Sequence, residues 1–275
     1  MSELGTPDPA SDLLTRFAAG VVMIAVACVA IYLGGWPFRL LVAAAAGAMM
    51  FEWGDMHRVQ RGWTVLGMIL LAAPTLVVPE LLFPAAERDP AEIAPELFDQ
   101  VWQGFAGIAA LGLLYTLLSR RLALGWGFVY VAWPAFSLVV LSWAWFELVF
   151  WLMLVTWATD IFAYFAGRSI GGPKLAPRIS PNKTWSGLIG GMAGAGVAGA
   201  AAAWAFRIGE PFLWLGAGMG LLAQLGDLYE SRVKRRLGVK DSSSLIPGHG
   251  GVLDRLDGLL PVIVATLLVL IASLA

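Results

Sequence analysis

The chain has 275 residues, 59% of them hydrophobic and 13% charged, and a mean hydropathy of +0.77. A soluble domain carries ~25% charged residues, and a globular core of this length could not keep so much apolar surface from water, which excludes a water-soluble protein. The net charge of −1 gives no reason to expect a nucleic-acid partner, and the single cysteine, Cys28, excludes an internal disulfide or a Cys-based metal site.

Residues 1–12, with Pro7, Asp8 and Pro9, read as a short disordered tail. They lack the basic n-region and small-residue cleavage site of a signal peptide, so the first apolar run is expected to be retained. A spanning helix needs ~20 mostly apolar residues. Runs of that kind fall at 14–34, 38–54, 63–83, 101–118, 123–142, 146–166, 186–206, 211–230 and 258–275. The second is short and ends at Glu52 and Asp55; the fifth contains Pro134, which kinks a spanning helix more often than it ends one. The expectation is an all-α polytopic membrane protein with about nine transmembrane helices. N-terminal helices occupy 13–145 and a C-terminal catalytic region occupies 146–275.

Lys and Arg set the orientation. The tail and the loops after the second, fourth, sixth and eighth runs hold fifteen of the eighteen basic residues; only Arg39, Arg88 and Arg207 fall on the other side. The N-terminus is therefore expected in the cytoplasm. The 13 Trp suit the two bilayer interfaces. Two segments on the basic side, 167–185 and 231–257, are longer than a connection requires, and function is expected there.

Ionisable residues within apolar runs are functional candidates by default. Asp160 and Asp227 close apolar runs, and Asp254 and Asp257 precede the last one, all on the basic side. Ordinary interface charges or helix N-terminal acids are the plain alternative. Carboxylates gathered at one depth suit a hard divalent cation. Only His57 and His249 accompany the one Cys, so zinc is a poor fit and magnesium the better one. On a helix, Asp227, Ser231 and Lys234 share a face, and Arg235, Arg236, Lys240 and Arg255 add charge nearby. A basic loop alone follows from topology and lipid attraction; acids interleaved with it point to transfer at phosphorus.

The segment Ile246-Pro247-Gly248-His249-Gly250-Gly251 offers flexible backbone for phosphate, and His249 could bond a phosphate or act as acid or base. The earlier loop offers Arg168, Gly171-Gly172-Pro173-Lys174 and Ser180-Pro181-Asn182-Lys183-Thr184, with no Walker A order. Gly187, Gly191, Ala195 and Gly199 form a small-residue face expected to pack closely on another helix, in this chain or across a dimer.

The residues Ser231-Arg232-Val233-Lys234-Arg235, Lys240-Asp241 and Ile246 through Asp257 closely resemble, without departure, the signature of the phosphatidate cytidylyltransferases (CDP-diacylglycerol synthases). Thr159-Asp160, Ala163-Tyr164, Gly167-Arg168 and Ser180 through Thr184 look like this family too. Ser186 departs from it, standing where many members carry Glu. The resemblance covers roughly 157–258. It implies Mg²⁺-dependent transfer of CMP from CTP to phosphatidic acid at a bacterial inner membrane, with pyrophosphate released and a homodimer as the working form. It implies Asp227 and Asp254 as metal ligands, with Asp257 and Asp160 as helpers, and leaves open a second metal or a monovalent ion. Lys183, Lys234 and His249 are expected in catalysis. Arg168, Ser180, Asn182, Ser231, Arg235, Lys240, Asp241, Gly250, Gly251 and Arg255 are expected in substrate binding. The competing readings are a CTP-dependent polyprenol or lipid kinase and, from another class, a transporter, although no internal repeat is evident.

Overall fold

The computed structural model describes residues 20–22, 25–82, 90–246 and 250–274. Helices lie on all nine predicted runs. In chain order they are residues 25–33 (α1), Gly35–Met56 (α2), Arg61–Leu70 (α3), Val78–Leu82 (α4), Pro90–Ser119 (α5) and Leu122–Ala144 (α6). Phe146–Ser169 (α7), Trp185–Phe206 (α8), Glu210–Arg236 (α9), Leu253–Leu256 (α10) and Leu259–Leu274 (α11) follow. A π-helical turn at Ala73–Val77 joins α3 to α4. The predicted tail and the start of the first run lie outside the described residues.

Among the described residues five stretches are long and apolar enough to cross a membrane: Arg61–Leu82, Glu96–Ser119, Leu122–Ala144, Phe146–Ser169 and Trp185–Phe206. The protein is a helical, membrane-embedded one. The other predicted spans are helices of a different make. α11 has only 16 residues, and α2 and α9 carry charged residues that the site uses. Pro134 lies buried inside α6, and the helix runs past it without ending. Large apolar side chains face outward at high exposure, among them Tyr32 (83%), Trp204 (79%) and Trp214 (78%). Water would not tolerate that surface, but lipid does.

α6 forms the middle of the bundle, with α2, α5 and α11 packed around it. α7, α8 and α9 form the tightest group. Glycine explains how closely α8 approaches its neighbours. A side-chain carbon at Gly191 would come within 2.9 Å of the Thr159 carbonyl on α7. One at Gly216 of α9 would overlap the Ala195 carbonyl on α8. The small-residue face predicted for 187–199 is thus used inside the chain, packing α8 onto α7 and α9. Trp151 of α7 ties the same layer by donating its indole N–H to the Gly199 carbonyl at 2.8 Å.

The 167–185 loop holds one departure from the all-α expectation. Lys174–Ala176 (β1) and Ser180–Thr184 (β2) pair antiparallel, with Lys174 opposite Thr184 and Ala176 opposite Ser180. Pro173 and Pro181 disfavour helix there, and the hairpin gives the segment a fixed shape. Thr184 then caps α8, its Oγ1 accepting the Gly187 N–H at 3.1 Å. Lys183, one residue earlier, is held beside the helix start.

Candidate active site

α9 has 27 residues, about 40 Å at 1.5 Å per residue, so it outruns a ~30 Å hydrocarbon core. Its last turns carry the polar face that the spacing predicts. Ser231 Oγ donates to Asp227 Oδ1 at 3.2 Å. Lys234 is buried between two carboxylates, its Nζ 3.1 Å from Glu230 Oε1 and 2.5 Å from Asp254 Oδ1. A buried ammonium needs such partners, because burial without them strongly disfavours its charge.

Asp254 organises the loop ahead of α11. Its Oδ2 accepts the N–H of Gly251 at 2.8 Å, the N–H of Ser242 at 2.9 Å and the Ser242 hydroxyl at 2.9 Å. Burial pushes the Asp254 carboxyl up. The bonds from Lys234, Gly251 and Ser242 outweigh that and hold it below its ordinary value. Gly250 takes φ +82°, a region that favours glycine, and its carbonyl accepts the Ile246 N–H at 2.8 Å.

A second carboxylate supports this loop from far away in sequence. Glu52 of α2 is fully buried. It accepts the N–H groups of Val252 and Leu253, each at 2.8 Å, and the hydroxyls of Ser243 at 2.8 Å and Ser242 at 3.2 Å. Gly251 passes so close that a side chain there would overlap the Ser242 hydroxyl and press on the Glu52 carboxylate.

A cavity of about 340 Å³ lies in front of these groups, lined by Asp160, Asp227, Asp241, Asp254 and Asp257 with Lys234 and Arg255. Five carboxylates against two cations leave it acidic. Burial first, and the Asp227 charge second, raise the Asp257 carboxyl to about 6. Across Asp160 and Asp227 opens a second cavity of about 570 Å³ that also takes in Arg168, Asn182 and Lys183. Lys183 spans the boundary, its Nζ 2.5 Å from Asp227 Oδ2 and 3.0 Å from Gln224 Oε1. Two chambers, one polar and acidic and one of mixed lining with added cations, therefore share two aspartates.

The oxygen-rich lining fits a hard divalent cation in kind. Among the described residues no group of three His, Cys, Asp or Glu stands together in an arrangement ready to hold a metal. Lys183 and Lys234 occupy Asp227 and Asp254 instead, so their ammonium groups neutralise these carboxylates.

The structure therefore brings Asp160, Asp227, Lys234, Asp241, Asp254, Arg255 and Asp257 around one space, and Arg168, Asn182 and Lys183 around the adjoining one. Ser231 reaches the site through Asp227. Gly251 spends its N–H on Asp254. Ser180 sits on β2 and lines neither cavity, while Arg235 donates to the Val239 carbonyl at 3.1 Å and Lys240 faces outward. His249 lies outside the described residues. Ser186, the departure noted above, donates to the Gly171 carbonyl at 2.5 Å and lies 3.0 Å from Thr184 Oγ1, so it fastens the hairpin loop to α8.

Sequence reasoning missed Glu52 and Glu230. Glu52 marked only the uncertain end of a short run, although an acid within apolar helix was itself the signal. Glu230 sits on the Asp227–Lys234 face, one turn from each, and its burial shows only in the fold.

The model of the "Cytidylyltransferase family" matches residues 14–273. A phosphatidate cytidylyltransferase of Brucella abortus is 37% identical over 268 residues, covering 90% of each chain. That of Pseudomonas aeruginosa is 33% identical over 271 residues, covering 93% of this chain and 97% of its own. That of Bacillus subtilis is 31% identical over 273 residues, covering 90% and 94%. With a family model spanning nearly its whole length and relatives aligned end to end, the chain belongs to the cytidylyltransferase family.

Proposed function

We propose that this protein is a phosphatidate cytidylyltransferase, which transfers CMP from CTP to phosphatidic acid and yields CDP-diacylglycerol and pyrophosphate. The observation that carries this reading, beside the family, is the pair of adjoining charged chambers that run from the loop-bearing ends of α7, α9 and α11 inward as far as Thr156 of α7. One substrate is a soluble polyanion and the other is anchored in a leaflet, so a site that opens at the helix ends admits both. A site at mid-bilayer would be closed to CTP.

In the reaction a phosphatidate oxygen attacks the α-phosphorus of CTP, and the bond from that phosphorus to the β-phosphate oxygen breaks. The nucleophile is already an anion, so no covalent enzyme intermediate is needed, and the protein's part is positioning and charge neutralisation. Lys183 and Arg168 border the more cationic chamber and would hold the triphosphate, with Asn182 beside them. Asp227 and Asp254 would hold Mg²⁺, helped by Asp160 and Asp257, which line the same cavity. Bound there, the metal would neutralise phosphate charge as it develops. Lys183 and Lys234, paired to Asp227 and Asp254 in the structure, stand where their ammonium groups would meet phosphate oxygens. Glu52 and Asp254 hold Ser242, Ser243 and residues 251–253 through their backbone and hydroxyl donors, so these groups are positioned before substrate arrives.

The reading includes a cytoplasmic site in a bacterial inner membrane, supported by the basic loops, and a homodimer, supported by the family resemblance alone. The test is incubation of purified protein with labelled CTP, phosphatidate and Mg²⁺, with both products identified. CDP-diacylglycerol and pyrophosphate are expected. Release of CDP with a phosphorylated lipid would make the protein a kinase.

A further inference from the structure

A third cavity, of about 460 Å³, differs in kind from the two that hold the charged residues. It runs between α1, α2, α6, α7 and α11, and its lining is apolar except for one residue, Arg255. Arg255 also lines the acidic cavity. One side chain thus stands in the wall between an apolar slot and the polar site. Arg255 is exposed, and among the described residues no carboxylate lies within ion-pair distance of its guanidinium. It is free to meet an anion.

The slot's dimensions are those of a lipid chain. Along α2 its lining extends from Phe38 to Met49, about 16 Å of helix axis at 1.5 Å per residue. That is half of the ~30 Å hydrocarbon thickness, or one leaflet. Its volume falls within the roughly 300–1,000 Å³ of small-molecule sites. Width comes from small residues on α2, among them Ala45 and Ala48, facing Leu138, Met153 and Ile263. A soluble nucleotide gains nothing from such walls.

We infer that this slot is the acyl-chain site for the anionic lipid substrate: one chain lies along α2 and α11, and Arg255 at the mouth holds the phosphate at the edge of the acidic cavity. The inference rests on the proposed cytidylyl transfer and adds where the lipid lies and what selects its chain length. A guanidinium pairs with phosphate in a forked geometry. With the chain seated below and the head at Arg255, the lipid phosphate faces Asp227 and Lys234 without the chain leaving an apolar environment.

Two arms test this. In the wild-type protein, a phosphatidate carrying a diazirine in its acyl chain is photolysed and the labelled peptides are identified. Label is expected on the slot-facing residues of α2 and α11, displaced by excess phosphatidate and not by phosphatidylcholine. Label elsewhere, or equal displacement by phosphatidylcholine, which would mean a bystander lipid only, overturns the inference. In the second arm Ala45→Phe and Ala48→Phe narrow the slot. Turnover of dioleoyl phosphatidate should fall about tenfold or more relative to wild type, while dihexanoyl phosphatidate and the KM for CTP stay within about twofold. Equal losses on both chain lengths, or none, would count against the slot. Failure of wild-type protein to form CDP-diacylglycerol would refute the proposed reaction instead, and the labelling arm would still report on the slot.

Discussion

Glu52 Oε2 accepts the backbone N–H of Leu253 at 2.8 Å, joining α2 to α10 across 201 residues. Three further donors, from Val252, Ser242 and Ser243, reach the same carboxylate. The N-terminal helices are thereby tied to the loop that presents Asp254, and the two parts of the chain form one site.

Glu52→Ala leaves these donors without an acceptor in a buried place, at a loss of roughly 1–3 kcal/mol for each one orphaned. We expect a lower thermal midpoint and a fall in kcat of at least about tenfold, with the KM for CTP changing less. Glu52→Gln keeps an acceptor oxygen and should lie between. Steady-state kinetics and a melting curve in detergent check this; wild-type turnover in the alanine variant would remove Glu52 from any positioning role.

Gly251 approaches Glu52 and Ser242 more closely than any side chain allows. Gly251→Ala should therefore displace the loop and reduce turnover sharply, while Gly218→Ala on α9, where no heavy atom lies within 4 Å of the added carbon, should affect it less. Comparable rates in both variants would show that the loop adjusts.

Lys183 pairs with Asp227 at a partly exposed boundary between the chambers. Lys183→Ala should raise the apparent KM for CTP about tenfold or more, and Lys183→Arg should raise it less. Asp227→Ala should abolish Mg²⁺-dependent turnover. A Lys183→Ala enzyme with an unchanged KM would place that charge outside the nucleotide site.

Asp257 gives a pH dependence with a definite sign. Its folded carboxyl titrates at about 6, above the value near 3.9 of an unfolded chain. The folded state therefore loses stability as pH rises through this window, and the effect is complete above 6. Without metal, Asp257→Asn should melt higher than wild type at pH 7.5, and the gap should narrow toward pH 5. Added Mg²⁺ should stabilise wild type more than the variant. A gap that widens in acid would contradict the assignment.

Orientation is read by labelling. Lys240→Cys, made in a Cys28→Ser background, should react with an impermeant maleimide only when the cytoplasmic face is open. Reaction from outside would reverse the topology.

The sequence alone was enough for the membrane setting and the helical character of the apolar runs. These follow from composition and spacing, which persist whatever the packing. Asp227, Ser231 and Lys234 were legible as one face because a helix fixes that geometry locally, and the family because its polar signature lies in one continuous stretch. Only the tertiary structure could show that Lys183 meets Asp227, that Glu52 anchors the Asp254 loop, or that Glu230 is buried beside Lys234. These are contacts between elements far apart in the chain, and no local period records them. The hairpin at 174–184 and the slot below Arg255 are of the same kind. One is fixed by strand pairing against a capped helix, and the other by the space that helices from both halves of the chain leave between them.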